Sequence, residues 1–225
     1  MARNIFKIIF RLLIVACVIT GMSITPQARM YEQFWFFTIQ TNIFIAIIEL
    51  ILAVVQILNL CKVETPFVKS KTFSFFRILT AFFITITGLI YCFILAPAGI
   101  IFEQTPFWEM FDFRNILLHV VVPAMAIIDY MLYCTKGGLK YSHAPIFLIY
   151  PLIYFFLVNI RVWCGGKPFL GGSYYPYFFL DPFLDGQGWG MVAIYLAVVC
   201  LIFYALALLY IFADKKLAKK KQHHD

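Results

Sequence analysis

Two residues in this chain have the means for nucleophilic chemistry at a depth where polar groups are rare. His119 lies in Asn115-Ile116-Leu117-Leu118-His119-Val120-Val121-Val122-Pro123, inside an apolar run long enough to cross a bilayer. Thr38 lies near the start of another such run, in Phe36-Phe37-Thr38-Ile39-Gln40-Thr41-Asn42. An ionisable side chain at hydrocarbon depth is costly, and it usually faces a partner or a cavity. A hydroxyl, an imidazole and nearby amide donors form a minimal set for acyl transfer. The hydroxyl attacks, the imidazole takes its proton, and the donors stabilise the oxyanion. Asn42 and Asn115 are the candidate amides, able to orient His119 or to donate to the oxyanion. Thr41 is the competing hydroxyl. Each residue also has an ordinary structural alternative. Threonines in membrane helices commonly bond the carbonyl four residues back, and a buried histidine can simply bond a neighbouring helix.

The elements that must position these groups follow from composition. The chain has 225 residues and is 63% hydrophobic, against about half for a soluble domain. Too few polar positions remain to cover a water-facing surface, so the chain reads as an all-α integral membrane protein, one six-helix domain over 1–225. A helix needs about 20 mostly apolar residues to span the hydrocarbon. Six segments qualify: 5–24, 34–58, 73–95, 113–133, 144–162 and 190–212. The first has basic residues ahead of it but no small-x-small cleavage site after Ile24, so it is expected to be an uncleaved helix. The longest connection, Trp163 to Trp189, is rich in Gly, Tyr, Phe and Pro, and it is expected to fold over the outer face of the bundle.

Charge placement orients the bundle. Of 18 Lys and Arg residues, fourteen fall at the amino terminus, the second and fourth loops, the tail and the adjoining helix ends. The other four are Arg29, Arg114, Arg161 and Lys167. This alternation puts both termini in the cytoplasm of a plasma-membrane protein. The net charge of +7 largely reflects the tail cluster Lys215, Lys216, Lys219, Lys220 and Lys221, which suits anionic lipid; no groove-reading or stacking motif points to nucleic acid.

Topology then turns positions into depths. Thr38 falls about 6 Å and His119 about 9 Å below the outer ends of their helices. Asn115 lies one turn above His119, and Arg161 and Asn159 fall near the outer end of the fifth helix. Arg11, Glu49, Arg77 and Asp129 form an inner layer on four helices, read as paired charges that lock packing or as an ion path. No metal or haem site is expected. His119 and His143 are assigned to opposite sides, His223 and His224 lie in the tail, and the dispersed cysteines show no ligand spacing.

With these residues in view, the chain resembles a predicted six-helix prokaryotic membrane-protein family, through Phe36–Asn42, Leu117–Pro123 and Tyr175-Pro176-Tyr177-Phe178-Phe179-Leu180-Asp181-Pro182. That family is similar to the animal androgen-induced, FAR-17a-like proteins. These are six-span threonine hydrolases that cleave fatty acid esters of hydroxy fatty acids (FAHFA). The resemblance implies a lipid-ester hydrolase without cofactor, with Thr38 as nucleophile and His119 as base. Thr41, Asn42, Asn115, Arg161 and Tyr177 are the supporting candidates, and Arg161 suits a fatty-acid carboxylate. The implied partners are a fatty acyl ester and membrane lipids, with the oligomeric state open. The alternative from another class is a lipid-binding or transport protein, motivated by the inner charged layer.

Overall fold

A computed structural model describes residues 2–24, 30–169 and 172–222. Arg29, His223 and His224 lie outside the described residues. No strand occurs among those described, and six helices are long and apolar enough to cross a membrane. They are α1 (Ala2–Ser23), α2 (Phe37–Leu60), α3 (Lys71–Ile101), α4 (Phe113–Tyr133), α5 (Tyr141–Trp163) and α6 (Gly188–Gln222). The chain is an all-α, multi-pass membrane protein. Its contacts divide it into two compact units, Met1–Thr135 and Lys136–Asp225.

The helix boundaries differ from the sequence expectation for local reasons. α2 begins at Phe37 and not at 34, because the chain first turns after a short helix, Met30–Gln33, with Trp35 and Phe36 bonded back to Glu32 and Gln33. α3 starts where Ser70 Oγ accepts the Phe73 N–H at 3.1 Å, a side-chain N-cap. It runs past Leu95 to Ile101 because Pro97 falls in the first turn after a π-helical turn, Tyr91–Leu95. α6 runs beyond Phe212 because its lysine tail holds good helix formers and no Gly or Pro.

In the first unit α1 packs on α2, α2 on α3, and α3 on α4. Ile14 and Val18 of α1, Ile45 of α2, Ile84 of α3, and Val122 and Ala126 of α4 make the apolar core. Lipid tails are as apolar as these side chains, so close approach and polar pairing must supply the packing preference. Glycines give the approach: a Cβ at Gly21 would lie 2.7 Å from Leu118, and one at Gly88 would lie 2.9 Å from the His119 carbonyl oxygen.

The charged residues expected as an inner layer meet. Arg11 Nε lies 3.1 Å from Asp129 Oδ1 and 3.4 Å from Glu49 Oε2, and Arg77 Nη2 lies 2.5 Å from Asp129 Oδ2. Arg11 also donates to the Leu52 carbonyl and Arg77 to that of Tyr133, in the last turn of α4. Asp129, only 1% exposed, therefore joins α1 and α3 to α4. Ion pairing on these terms favours one helix arrangement more than it adds stability.

The second unit is built by α5 packing on α6, with the long loop folded against them. The buried Asp214 carboxylate accepts the N–H groups of Gly137 and Leu139 at 2.8 and 3.2 Å, which ties the α4–α5 connection to α6. Tyr175 donates its hydroxyl to Asn159 Oδ1 at 3.3 Å, and Ser173 donates to Asp181 at 2.6 Å. Burial pushes the Tyr175 phenol above its usual range, and nearby Asp181 adds to this.

Asp129→Asn leaves Arg77 without its ion pair. We expect a loss of about 3 kcal/mol or more. This would appear as a lower melting temperature in detergent and a larger fall than for Glu49→Gln, which leaves Arg11 still paired with Asp129.

Candidate active site

The site begins with a proline. The first part of α4 is α-helical, Leu117–Val121 winds as a π turn, and Pro123 follows at the start of the next α segment. In the π turn the Val122 N–H bonds Leu117 O. Pro123 has no N–H to give, so the Leu118 carbonyl loses its helical donors. Asn42 Nδ2 takes that carbonyl at 3.1 Å while also donating to Thr38 O at 2.9 Å. A fully buried amide on α2 thus clamps the widened turn of α4. Such turns recur at functional sites.

The turn presents His119 to two partners. Its Nδ1 lies 3.1 Å from the Asn115 carbonyl oxygen and its Nε2 lies 3.3 Å from Thr38 Oγ1. A carbonyl only accepts, so the neutral ring carries its hydrogen on Nδ1 and turns the Nε2 lone pair toward the threonine hydroxyl. Thr38 and His119 are 9% and 7% exposed, so the pair meets away from bulk water.

Tyr91 closes the other face of the imidazole. The two rings stack with centroids 3.7 Å apart and planes 18° from parallel. Tyr91 opens the π turn of α3, which stands at the same offset from Pro97 as the α4 turn from Pro123. Its hydroxyl donates to the Met110 carbonyl, which also accepts Asn115 Nδ2 at 3.0 Å. The α3–α4 connection is thereby pinned to both helices.

The expected residues fall into two groups. Thr38, His119, Asn42 and Asn115 come together, but the amides act differently from the expectation. Asn42 Nδ2 is spent on two backbone carbonyls, and Asn115 reaches His119 through its main chain. Thr38 lies in the first turn of α2, shallower than expected, because that helix starts at Phe37. Thr41, fully buried, bonds Thr87 Oγ1 at 2.8 Å and Thr38 O at 3.0 Å. Arg161 and Tyr177 belong to the second unit. There Arg161 donates to the Tyr174 and Lys167 carbonyls and lies over the Phe169 ring at 4.5 Å, and Tyr177 stacks on Phe179. Arg161 thus holds the loop through the loop's own carbonyls.

One residue against the pair, Tyr91, escaped the sequence reading. The available signal was Pro97, a second proline inside an apolar run. No protein-family model matches the chain, and neither a curated protein nor a solved structure matches it.

Gly88→Ala puts a methyl 2.9 Å from both the His119 carbonyl oxygen and Pro123 Cβ. It should lower detergent stability by about 1–3 kcal/mol. Gly190→Ala, where a Cβ meets nothing within 4 Å, should not lower it.

Proposed function

We propose that the protein is an intramembrane lipid-ester hydrolase with Thr38 as nucleophile and His119 as general base. The observation that carries this reading is the 3.3 Å approach of Nε2 to Thr38 Oγ1 in a ring whose Nδ1 faces a carbonyl. The resemblance of Phe36–Asn42 and Leu117–Pro123 to the FAR-17a-like threonine hydrolases supports it independently and suggests FAHFA-like esters.

The chemistry balances with these groups alone. Thr38 Oγ1 attacks the ester carbonyl carbon, and its proton passes to His119 Nε2. The carbon–oxygen bond to the leaving alcohol breaks, and Nε2 returns the proton to that alcohol, leaving an acyl-threonine. Water attacks the acyl carbon, Nε2 takes a proton from it, and the departing Thr38 oxygen recovers a proton as the fatty acid leaves. The Asn115 carbonyl steadies the imidazolium formed in each half, as the orienting group of a triad does. Thr38 sits in the first turn of a 24-residue helix, whose positive dipole end favours negative charge forming there.

The Lys and Arg bias supports a plasma-membrane protein with both termini cytoplasmic, and so a site in the outer leaflet, where water has a short path.

Purified protein in detergent should hydrolyse FAHFA or simpler lipid esters. Thr38→Ala and His119→Ala should each lower kcat by about 10²–10⁴-fold. Thr41→Ala should keep most activity and lose stability, since its hydroxyl bridges α2 and α3. A fluorophosphonate probe should label wild type but not Thr38→Ala. No turnover in wild type, or full activity in both Thr38→Ala and His119→Ala, overturns the reading.

A further inference from the structure

Arg114 is a cation without a counter-charge in contact. Its Nη2 donates to Gln33 Oε1, and its Nε is buried with no hydrogen-bond partner among the described residues. No described carboxylate approaches it within 4.0 Å, whereas Arg11 and Arg77 both pair with Asp129. The neighbouring Asp112 acts on it through space, but that carboxylate is bonded to the Asn115 N–H at 2.6 Å, capping the start of α4. A half-buried guanidinium with donors to spare and no anion in contact is poised for a planar oxyanion.

Its position ties it to the Thr38–His119 pair. Arg114 precedes His119 by five residues on α4, roughly 7.5 Å along the axis. The next residue, Asn115, gives its carbonyl to His119 Nδ1. It also stands in the first turn of a helix long and apolar enough to cross a membrane. A lipid whose ester reached Thr38 would carry its polar end past this guanidinium.

We infer that Arg114, braced by Gln33, recognises an anionic group on the substrate, a phosphate or a carboxylate, a short linker away from the ester that Thr38 attacks. This rests on the hydrolase reading and narrows its substrates to anionic lipid esters. Arg114 sets specificity and takes no part in proton transfer.

The test uses purified full-length protein in detergent and two pairs of probes: an acyl ester bearing a free carboxylate against its methyl ester, and a monoacylglycerol phosphate against the monoacylglycerol. Wild type should prefer the anionic member of at least one pair by about 10- to 100-fold in kcat/KM, the worth of one charge-assisted hydrogen bond. The pair that shows the preference identifies the anion. Arg114→Gln should bring that ratio close to unity through KM, with the neutral probes unchanged, and Arg114→Lys should keep part of it. Equal use of both members by wild type, or a preference that survives in Arg114→Gln, overturns the inference while leaving the hydrolase reading standing. Binding of the same probes to wild type and Arg114→Gln is measured in parallel. If no ester turns over, the hydrolase reading falls. In that case charge-selective binding lost in Arg114→Gln supports the anion site, and its absence overturns it.

Discussion

Pro123 cannot donate a backbone hydrogen bond, and the arrangement around His119 follows from that. In water a helix can leave a carbonyl to solvent, but inside hydrocarbon each unpaired group costs several kcal/mol. The chain widens by one residue into a π turn, and the carbonyl still left over at Leu118 is taken by Asn42 from the next helix. The same bond fixes α2 against α4 beside Thr38. Thr38 and His119 face each other because a backbone fault on one helix is repaired by an amide on the other.

α3 repeats the device on the opposite side of the ring. Its own π turn precedes Pro97 and presents Tyr91 flat against the imidazole. Gly88, one turn earlier, lets the two helices come close enough for that stacking, since any side chain there would meet the His119 carbonyl. With Asn115 O on Nδ1, Tyr91 on the ring face and Thr38 at Nε2, the imidazole has little freedom to rotate. An imidazole held this way meets a hydroxyl without first losing orientational entropy.

The charged layer works under the same constraint with different chemistry. Three ionisable residues from three helices, Arg11, Glu49 and Arg77, collect around Asp129 on a fourth, and the two arginines also donate to the carbonyls of Leu52 and Tyr133. Charges so engaged look like packing devices and not a pathway. Arg114 differs from these two arginines, and its lack of a carboxylate in contact is meaningful only beside them.

Much of the outline was legible in the sequence. Six spans and the all-α class follow from hydropathy and helical rise, because transfer free energy and rise accumulate residue by residue along one chain. The same rise put Thr38 and His119 at similar expected depths, and only the family resemblance preferred Thr38 to Thr41. The π turns, the stacking of Tyr91, the clamp by Asn42 and the loop-holding role of Arg161 were not legible. Each depends on which carbonyl is left without a donor and which side chain on another element lies nearest. Thr41 illustrates the boundary. In sequence it rivals Thr38, three residues away on the same helix. Only the tertiary structure turns it toward Thr87 and turns Thr38 toward His119, because the pairing of neighbouring helices decides which hydroxyl meets the imidazole.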